Sequence, residues 1–172
     1  MRFSPPWTRD DPYWDAFLNR PPADPNNLIP HAFRQVRAGS VNPDRTEIHS
    51  PNVMAEHVKE LGRFYGADRV GIVERSGTDP PFAIVCLLRA DYDTRTARGI
   101  GGQVPALKAM FATFTLAAYI RELGYRADCV ELPEASDLAS AAGLLPVRTA
   151  RHVHLADVIL TDLPLQPDGR AA

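Results

Sequence analysis

Apolar residues recur at helical spacing between residues 51 and 65, where one stripe contains Val53, Val58, Leu61 and Phe64 or Tyr65. Spacings of three and four residues place such side chains on one face of a helix. Ser50 is suited to cap this helix, Pro51 to its first turn, and Gly66 to the left-handed position that ends it. The pattern therefore predicts a helix that packs its stripe on a core.

A second, longer helix is predicted from residue 104 to residue 123, with Pro105 near its start. Its apolar residues form two stripes, the first of Val104, Leu107, Phe111, Phe114 and Ala118, and the second of Met110, Ala117 and Ile120. Gly124 closes this helix, and Tyr125 is placed for the hydrophobic contact that accompanies such an end. Two stripes predict a helix that is buried on more than one side.

Four segments have the composition of strands. The first contains Val70, Ile72 and Val73, and the second is the run FAIVCLL at 82–88. The second is apolar on both faces, which predicts a central strand. The segments RADCVEL at 126–132 and VHLADVILTDL at 153–163 complete the set.

The order of these elements indicates the fold class. A short helix around SDLASAA, ended by Gly143, separates the last two strands. The sequence of helix, strand, strand, helix, strand, helix and strand predicts an α+β fold. We expect a mostly antiparallel or mixed sheet that is packed by helices.

The first fifty residues have a different character, because nine of the sixteen prolines fall there or directly after: Pro5, Pro6, Pro12, Pro21, Pro22, Pro25, Pro30, Pro43 and Pro51. We expect three parts, namely a proline-rich arm at 1–50, an α+β domain at 51–166 and a short tail at 167–172. Within the arm, the stretch DDPYWDAFL predicts one helical patch, with Trp14, Phe17 and Leu18 on a shared face. That face is expected to pin the arm to its own domain or to a partner chain.

The composition excludes some classes of function. A chain of 172 residues with 45% hydrophobic residues, 23% charged residues and a net charge of -2 is typical of one soluble globular domain. It lacks the basic excess that nucleic-acid binding requires. No apolar run approaches the ~20 residues that span a bilayer, and the start MRFSPPWTRDDPYW carries no signal peptide. We therefore expect a cytoplasmic protein with no nucleic-acid or membrane partner.

The two cysteines indicate a reducing compartment. Cys86 and Cys129 lie in separate apolar segments without Cys-x-x-Cys spacing, which predicts two small core side chains. Two cysteines also cannot supply the four thiolates of an ordinary iron–sulfur cluster.

Two histidines and a group of glycines could carry chemistry. His152 and His154 would share one face of the last strand, but no third ligand can be placed near them, so we expect a solvated sheet edge and no metal site. Gly99, Gly101 and Gly102 precede the long helix and could offer free N–H groups to an anion. They match neither the Walker motif nor the dinucleotide fingerprint.

A further possibility lies in the stretch ADYDT, which precedes these glycines. Its tyrosine, Tyr92, is flanked by two aspartates and is a possible acid. A turn rich in aspartate would give the same letters.

Five stretches, taken in order, resemble the corrinoid-binding domain of reductive dehalogenases, and more distantly epoxyqueuosine reductases. They are VKELGRFYGADRVGIV, ADYD, LAAYIRELGYRA, LASAAGL and ILTDLPL. Each is short, and it is their order and spacing that carry the likeness. The resemblance covers about residues 51–165 and leaves out the proline-rich arm.

The resemblance implies a nitroreductase-like α+β fold, related to cobalamin-trafficking proteins, that holds cobalamin base-off. In the family, the TDLPL segment leads into a ferredoxin-like domain with two [4Fe-4S] clusters, which this sequence is expected to lack. Two departures stand out. The loop after AGL is shorter than in the family, and no tyrosine lies between Tyr92 and Tyr119 to serve as the family's catalytic acid. No catalytic residue is therefore carried over.

The resemblance also implies which residues would contact the corrinoid. Small and glycine residues suit a flat macrocycle, because only a close backbone can line its edge. On this basis the expected contacts are Tyr92, Gly99, Gly101, Gly102, Ala142, Gly143, Leu144, Thr161 and Asp162. Ordinary caps and turns would account for the same letters.

Three functions follow as hypotheses. The first is a corrinoid-binding or corrinoid-handling protein without its own iron–sulfur clusters. The second is a degenerate homologue that serves as a scaffold or partner subunit. The third is a cobalamin-dependent reductase that takes electrons from a separate ferredoxin or flavoprotein. The partners implied are a corrinoid and a redox protein. A homodimer is also possible, because related folds often form dimers.

Overall fold

The computed structural model describes residues 12–28, 39–90, 97–130, 132–144 and 153–168. Four α-helices lie in these ranges: α1 at Pro12–Asn19, α2 at Pro51–Phe64, α3 at Val104–Glu122 and α4 at Ala135–Ala141. Four strands accompany them: β1 at Arg69–Glu74, β2 at Phe82–Ala90, β3 at Ala127–Val130 and β4 at Val153–Thr161. Short 3-10 helices cover Pro25–Asn27 and Gly101–Gln103.

The four strands form one sheet in the order β1-β2-β4-β3, and every neighbouring pair is antiparallel. In β2, every residue from Ala83 to Leu88 is buried, so the central strand predicted from its two apolar faces is confirmed. The α+β class and the antiparallel sheet packed by helices are confirmed as well.

One face of the sheet packs against α2 and α3. Ser50 caps α2, since its hydroxyl accepts the Val53 N–H, and Pro51 begins the helix as predicted. The predicted stripe is wrong at Val53, which is 66% exposed, whereas Val58 is buried and Leu61 packs against the core. Of the two alternatives at its other end, Tyr65 packs against the core and Phe64 is 82% exposed. The helix instead turns Gly62 toward β1, where an added Cβ would come within 2.7 Å of a Val70 methyl group.

The buried face of α3 differs from the first predicted stripe, whereas Ala117 and Ile120 of the second stripe are buried as predicted. Val104 and Phe111, from the first predicted stripe, are exposed. The helix is apolar almost all round, so periodicity cannot select its buried side. Its small side chains let it approach the sheet closely, and its buried residues are Ala109, Ala112, Thr113, Leu116, Ala117, Ile120 and Arg121.

The other face of the sheet packs against α4. Gly143, with φ of 70°, ends this helix in the left-handed conformation. Gly71 of β1 faces the chain that follows, because a Cβ there would lie 2.7 Å from the Ala142 methyl group and 3.0 Å from Leu144. This close approach allows a helix of 7 residues to cover a small second core.

Charged side chains satisfy backbone groups at both outer strands. Asp168 binds the outer edge of β1, donating its N–H to the Ile72 carbonyl at 3.0 Å and accepting the Ile72 N–H through its carboxylate at 2.8 Å. On β3, Arg121 donates to the Ala127 carbonyl at 2.6 Å. Such contacts protect sheet edges against pairing with other chains.

The second half of the arm lies against the carboxyl end of α3. Asn42 donates its backbone N–H to the Arg121 carbonyl at 3.0 Å, and Thr46 donates to the Leu123 carbonyl at 2.9 Å. Gly124, with φ of 85°, lies directly beneath the arm where the arm passes over the end of α3. A Cβ there would come within 2.6 Å of the Arg45 Cα. The arm therefore packs on its own domain at this point.

The two cysteines have different surroundings. Cys86 is fully buried in β2, as predicted. Cys129 is exposed on β3, so its prediction as a core residue is wrong. It lies on a short outer strand, where the sheet ends and no neighbouring strand follows in the described residues.

Across the ranges that the structure describes, none of the helices combines the length and the apolar character needed to cross a membrane.

Candidate functional site

The glycines at the start of α3 form the first candidate. Gly99 is buried, and Gly101 and Gly102 lie in the buried 3-10 helix that runs directly into α3. The Gln103 side chain fixes this turn by donating to the Ala97 carbonyl at 3.0 Å. The segment joins the central strand β2 to the long helix, through residues 91–96, which lie outside the described ranges.

Helix α1 of the arm lies directly on these glycines. The Gly99 N–H donates to the Leu18 carbonyl at 2.6 Å. A Cβ at Gly99 would come within 2.7 Å of that carbonyl oxygen, and a Cβ at Gly101 would come within 2.8 Å of the Phe17 ring. The absence of side chains at these positions is what lets the arm helix approach the backbone.

This contact changes the prediction for the glycines. The N–H of Gly99 is bonded to Leu18 and is not free for an anion, so that part of the prediction is wrong. A corrin ring does not fit against this segment while α1 is in place, because the Phe17 ring and the Leu18 backbone fill the space over Gly99 and Gly101.

The second predicted group, Ala142, Gly143 and Leu144, lies on the opposite face of the sheet from α3. Ala142 and Leu144 are buried against Gly71 of β1. Gly143 ends α4 in open surroundings, because a Cβ added there would have nothing within 4 Å. The helix end and its packing account for all three residues.

The third group, Thr161 and Asp162, lies at the end of β4, beside the start of β3. The Thr161 hydroxyl donates to the Arg126 carbonyl at 2.6 Å and accepts the Leu163 N–H at 3.0 Å. The Asp162 carboxylate accepts the Arg126 N–H at 2.7 Å and lies 3.6 Å from the Arg45 guanidinium. Both side chains therefore hold the beginning of β3 and the arm in place.

The charges around Asp162 form a network on the surface. Arg126 bonds Asp79 through two guanidinium nitrogens, and its Nε lies 3.3 Å from Asp162. The hydrogen bond from Arg126 lowers the pKa of Asp79. The bonds to Asp79, and then to Asp162, raise the pKa of Arg126. Arg45 joins the group with its guanidinium 4.2 Å above the Tyr125 ring.

The three groups do not meet in the described residues. The glycines precede α3, whereas Asp162 and Arg45 lie near its carboxyl end, and a helix of 19 residues is about 28 Å long. The second group is separated from the glycines by the sheet itself, since Leu144 packs on the face opposite α3. Tyr92 falls in residues 91–96, outside the described ranges, and its role stays a prediction.

The structure describes only one of the two histidines that were considered for a metal site. His152 lies outside the described residues, and His154 lies on β4, which runs between β2 and β3. The prediction of a solvated sheet edge is therefore wrong, because the last strand in sequence is an inner strand of the sheet. Within the described ranges, no group of three or more histidine, cysteine, aspartate or glutamate side chains could hold a metal ion.

Polar contacts of Lys59 and His57 on α2 were not predicted from the sequence. Lys59, with a side chain only 11% exposed, bonds both Asp168 and Glu56. His57 Nε2 lies 3.1 Å from the Tyr119 hydroxyl. The spacing of Glu56 and Lys59 on one helix could have indicated their pairing, but nothing in the sequence links Lys59 to a residue more than a hundred positions away.

Tyr119 is the first tyrosine after Tyr92 in the sequence, and its hydroxyl lies beside His57. Burial, and then the proximity of Tyr65, raise the pKa of its hydroxyl. A higher pKa makes a poorer proton donor at neutral pH.

Comparison with known proteins gives likeness in structure only. No family model matches the chain, and no curated protein matches it. The catabolic reductive dehalogenase NpRdhA is similar over 90% of this chain, with 20% sequence identity and a TM-score of 0.68. Its complex with 3-bromo-4-hydroxybenzoic acid matches equally well. A reductive dehalogenase described as suggesting a mechanism for B12-dependent dehalogenation is similar over 90% of the chain, with 22% identity and a TM-score of 0.67.

These neighbours are much longer proteins. The chain spans 28% of the length of NpRdhA and 27% of the second enzyme, so it corresponds to about a quarter of each. At this level of identity the likeness establishes a reductive-dehalogenase-like fold.

Proposed function

We propose that the protein binds or handles a corrinoid, holding cobalamin base-off as reductive dehalogenases do. The observation that carries this proposal is the likeness of fold, which extends over 90% of the chain to a reductive dehalogenase associated with B12-dependent dehalogenation. The ordered motifs from residue 58 to residue 165 favour the same function. The proposal includes a nitroreductase-like fold, related to that of cobalamin-trafficking proteins.

Within the molecule, the glycine segment is the feature that favours a corrinoid. Gly99, Gly101 and Gly102 present backbone without side chains at the start of a long helix, where a flat ligand could lie close to the chain once α1 has moved away. Tyr92 precedes these glycines in the sequence and is proposed as a further contact of the corrinoid. Ala142, Gly143, Leu144, Thr161 and Asp162 remain proposed contacts, although packing, a helix end and hydrogen bonds already account for them in this structure.

Electrons would have to come from outside these residues. The two cysteines of the sequence cannot supply the thiolates of a [4Fe-4S] cluster, and Cys86 is buried in the core. We therefore propose that a redox centre outside these residues reduces the bound corrinoid wherever reduction is required.

Titration of the purified protein with cobalamin tests this function. Visible absorbance distinguishes the base-on form from the base-off form, and the same curve gives the affinity. We expect a saturable base-off spectrum. A spectrum that stays base-on at large cobalamin excess, with no saturation, would overturn the proposal.

A scaffold without cofactor is the second candidate, and the position of α1 favours it. Because Phe17 and Leu18 pack on the glycines, the chain itself covers the surface that a corrinoid would use. This function predicts a colourless protein that binds no corrinoid and still holds a partner chain. Co-purification with a full-length dehalogenase, lost on deletion of residues 1–50, would support it.

A further inference from the structure

Helix α1 lies on the surface of the domain. None of its 8 residues is buried, and Tyr13 is 72% exposed and Phe17 41% exposed. Its contacts with the domain include the Leu18 carbonyl bonded to Gly99 and the Phe17 ring over Gly101. Isolated helices of this length are unstable in water, so α1 depends on this contact to stay folded.

The second half of the arm is held far more firmly. Backbone hydrogen bonds from Asn42 and Thr46 fix it to the end of α3, and the Tyr125 hydroxyl donates to the Thr46 carbonyl at 2.8 Å. Arg45 adds an ion pair with Asp162. Any movement of the arm that spares the domain is therefore confined to the part before Asn42.

The chain between these two anchors is long enough for α1 to leave. Residues 20–41 separate α1 from Asn42, and an extended chain of that length reaches about 70 Å. The two anchors lie at opposite ends of α3, which is about 28 Å long. Release of α1 therefore requires no change at the anchor near Asn42.

We infer that α1 is a displaceable cover of the glycine segment, which closes the corrinoid site in the free protein and moves away when a corrinoid binds. This inference rests on the proposed function. Ligand and cover compete for the same backbone, since Leu18 takes the N–H of Gly99 and Phe17 fills the space over Gly101. The apparent affinity for the ligand is then lowered by the fraction of molecules in which the cover is closed.

Variants of α1 in the full chain test the inference. Ala16→Pro prevents the helix from forming, and Phe17→Ala removes the ring over Gly101. Tyr13→Ala is the matched control, because it removes an exposed aromatic ring from the same helix. No α1 residue is buried, so all three variants are expected to fold, which thermal unfolding checks.

The probe is cob(II)alamin, titrated into the wild type and the three variants. We expect Ala16→Pro and Phe17→Ala to bind about tenfold more tightly than the wild type, and Tyr13→Ala to bind like it. Equal binding by all four proteins, or weaker binding by the two test variants, overturns the cover and leaves the proposed function standing. Absence of binding in all four overturns both.

Tryptophan fluorescence provides a second readout. The sequence has two tryptophans, Trp7 and Trp14, and Trp14 belongs to α1. In a Trp7→Phe background the emission therefore reports on α1 and not on the core. With cobinamide as ligand, we expect polarisation to fall in step with saturation as α1 becomes mobile. Polarisation that stays constant while the ligand saturates contradicts release of the cover.

Discussion

Asp168 pairs with Ile72 as a short extra strand would, through a backbone hydrogen bond of 3.0 Å and a carboxylate that accepts the Ile72 N–H at 2.8 Å. The same carboxylate bonds the largely buried ammonium of Lys59. Asp168, near the end of the described chain, thus forms hydrogen bonds with the edge strand β1 and an ion pair with Lys59 of α2.

We predict that Asp168→Ala lowers the free energy of unfolding by about 2 kcal/mol, because it leaves both Lys59 and the Ile72 N–H without this partner. Urea denaturation measures the change. Glu60→Ala, at an exposed position of α2, is the control and should stay within about 0.5 kcal/mol of the wild type. Equal effects of the two substitutions would show that the Asp168 contact contributes nothing.

The ion pair between Lys59 and Asp168 also predicts that the stability of the fold depends on pH. Burial opposes the charge on Lys59, but hydrogen bonds to Asp168 and Glu56 outweigh it, so the pKa of Lys59 is raised above 10.5. The stabilisation is therefore fully present below pH 10.5 and is lost as the pH rises through the folded-state pKa. We expect the stability difference between wild type and Lys59→Met to be constant from about pH 7 to about pH 10 and to shrink above that range. A difference that already shrinks below about pH 9 would contradict this.

The aspartates around Arg126 should differ in their contribution to stability. Asp162, with a side chain 23% exposed, accepts the Arg126 backbone N–H, whereas Asp79 is 72% exposed and contacts only the guanidinium. We expect Asp162→Ala to cost about 1.5 kcal/mol and Asp79→Ala a clearly smaller amount, because solvent screens an exposed ion pair. Thermal unfolding of both variants decides, and a larger loss for Asp79→Ala would contradict the assignment.

Alanine substitutions at two glycines can distinguish the free-energy cost of a left-handed backbone from the cost of a clash with a neighbouring segment of the chain. Gly143 and Gly124 both have positive φ, but only Gly124 lies under Arg45 and Asp44. We expect Gly143→Ala to cost about 1 kcal/mol and Gly124→Ala roughly 3 kcal/mol, with increased proteolysis of the arm near Arg45. Equal costs would mean that the crossing is not maintained in solution.

The cysteines should differ in reactivity. Burial raises the pKa of Cys86, and the covered sulfur of Cys129 has a pKa raised to about 11, although the residue as a whole is exposed. At about pH 8 we expect a thiol reagent to label Cys129 slowly and Cys86 only after unfolding. Cys86→Ala and Cys129→Ser assign the two phases, and fast labelling of both thiols would contradict the structure.

Local patterns in the sequence determined the elements and their ends. Ser50 and Pro51 begin α2, Gly66, Gly124 and Gly143 follow helix ends with positive φ, and the two apolar faces of 82–88 predicted a central strand. These features depend on short-range geometry, which a few neighbouring residues specify. The α+β class followed from the order of the elements.

Only the tertiary structure decided which faces are buried and what the glycines contact. Helix α3 is apolar on most sides, so the sheet, and not the periodicity, selected its alanines over Phe111. The placement of α1 on Gly101, and of Asp168 on Ile72, joins residues that are far apart in sequence. Such contacts depend on how the whole chain packs, because glycine and aspartate suit many local settings and specify none of them alone.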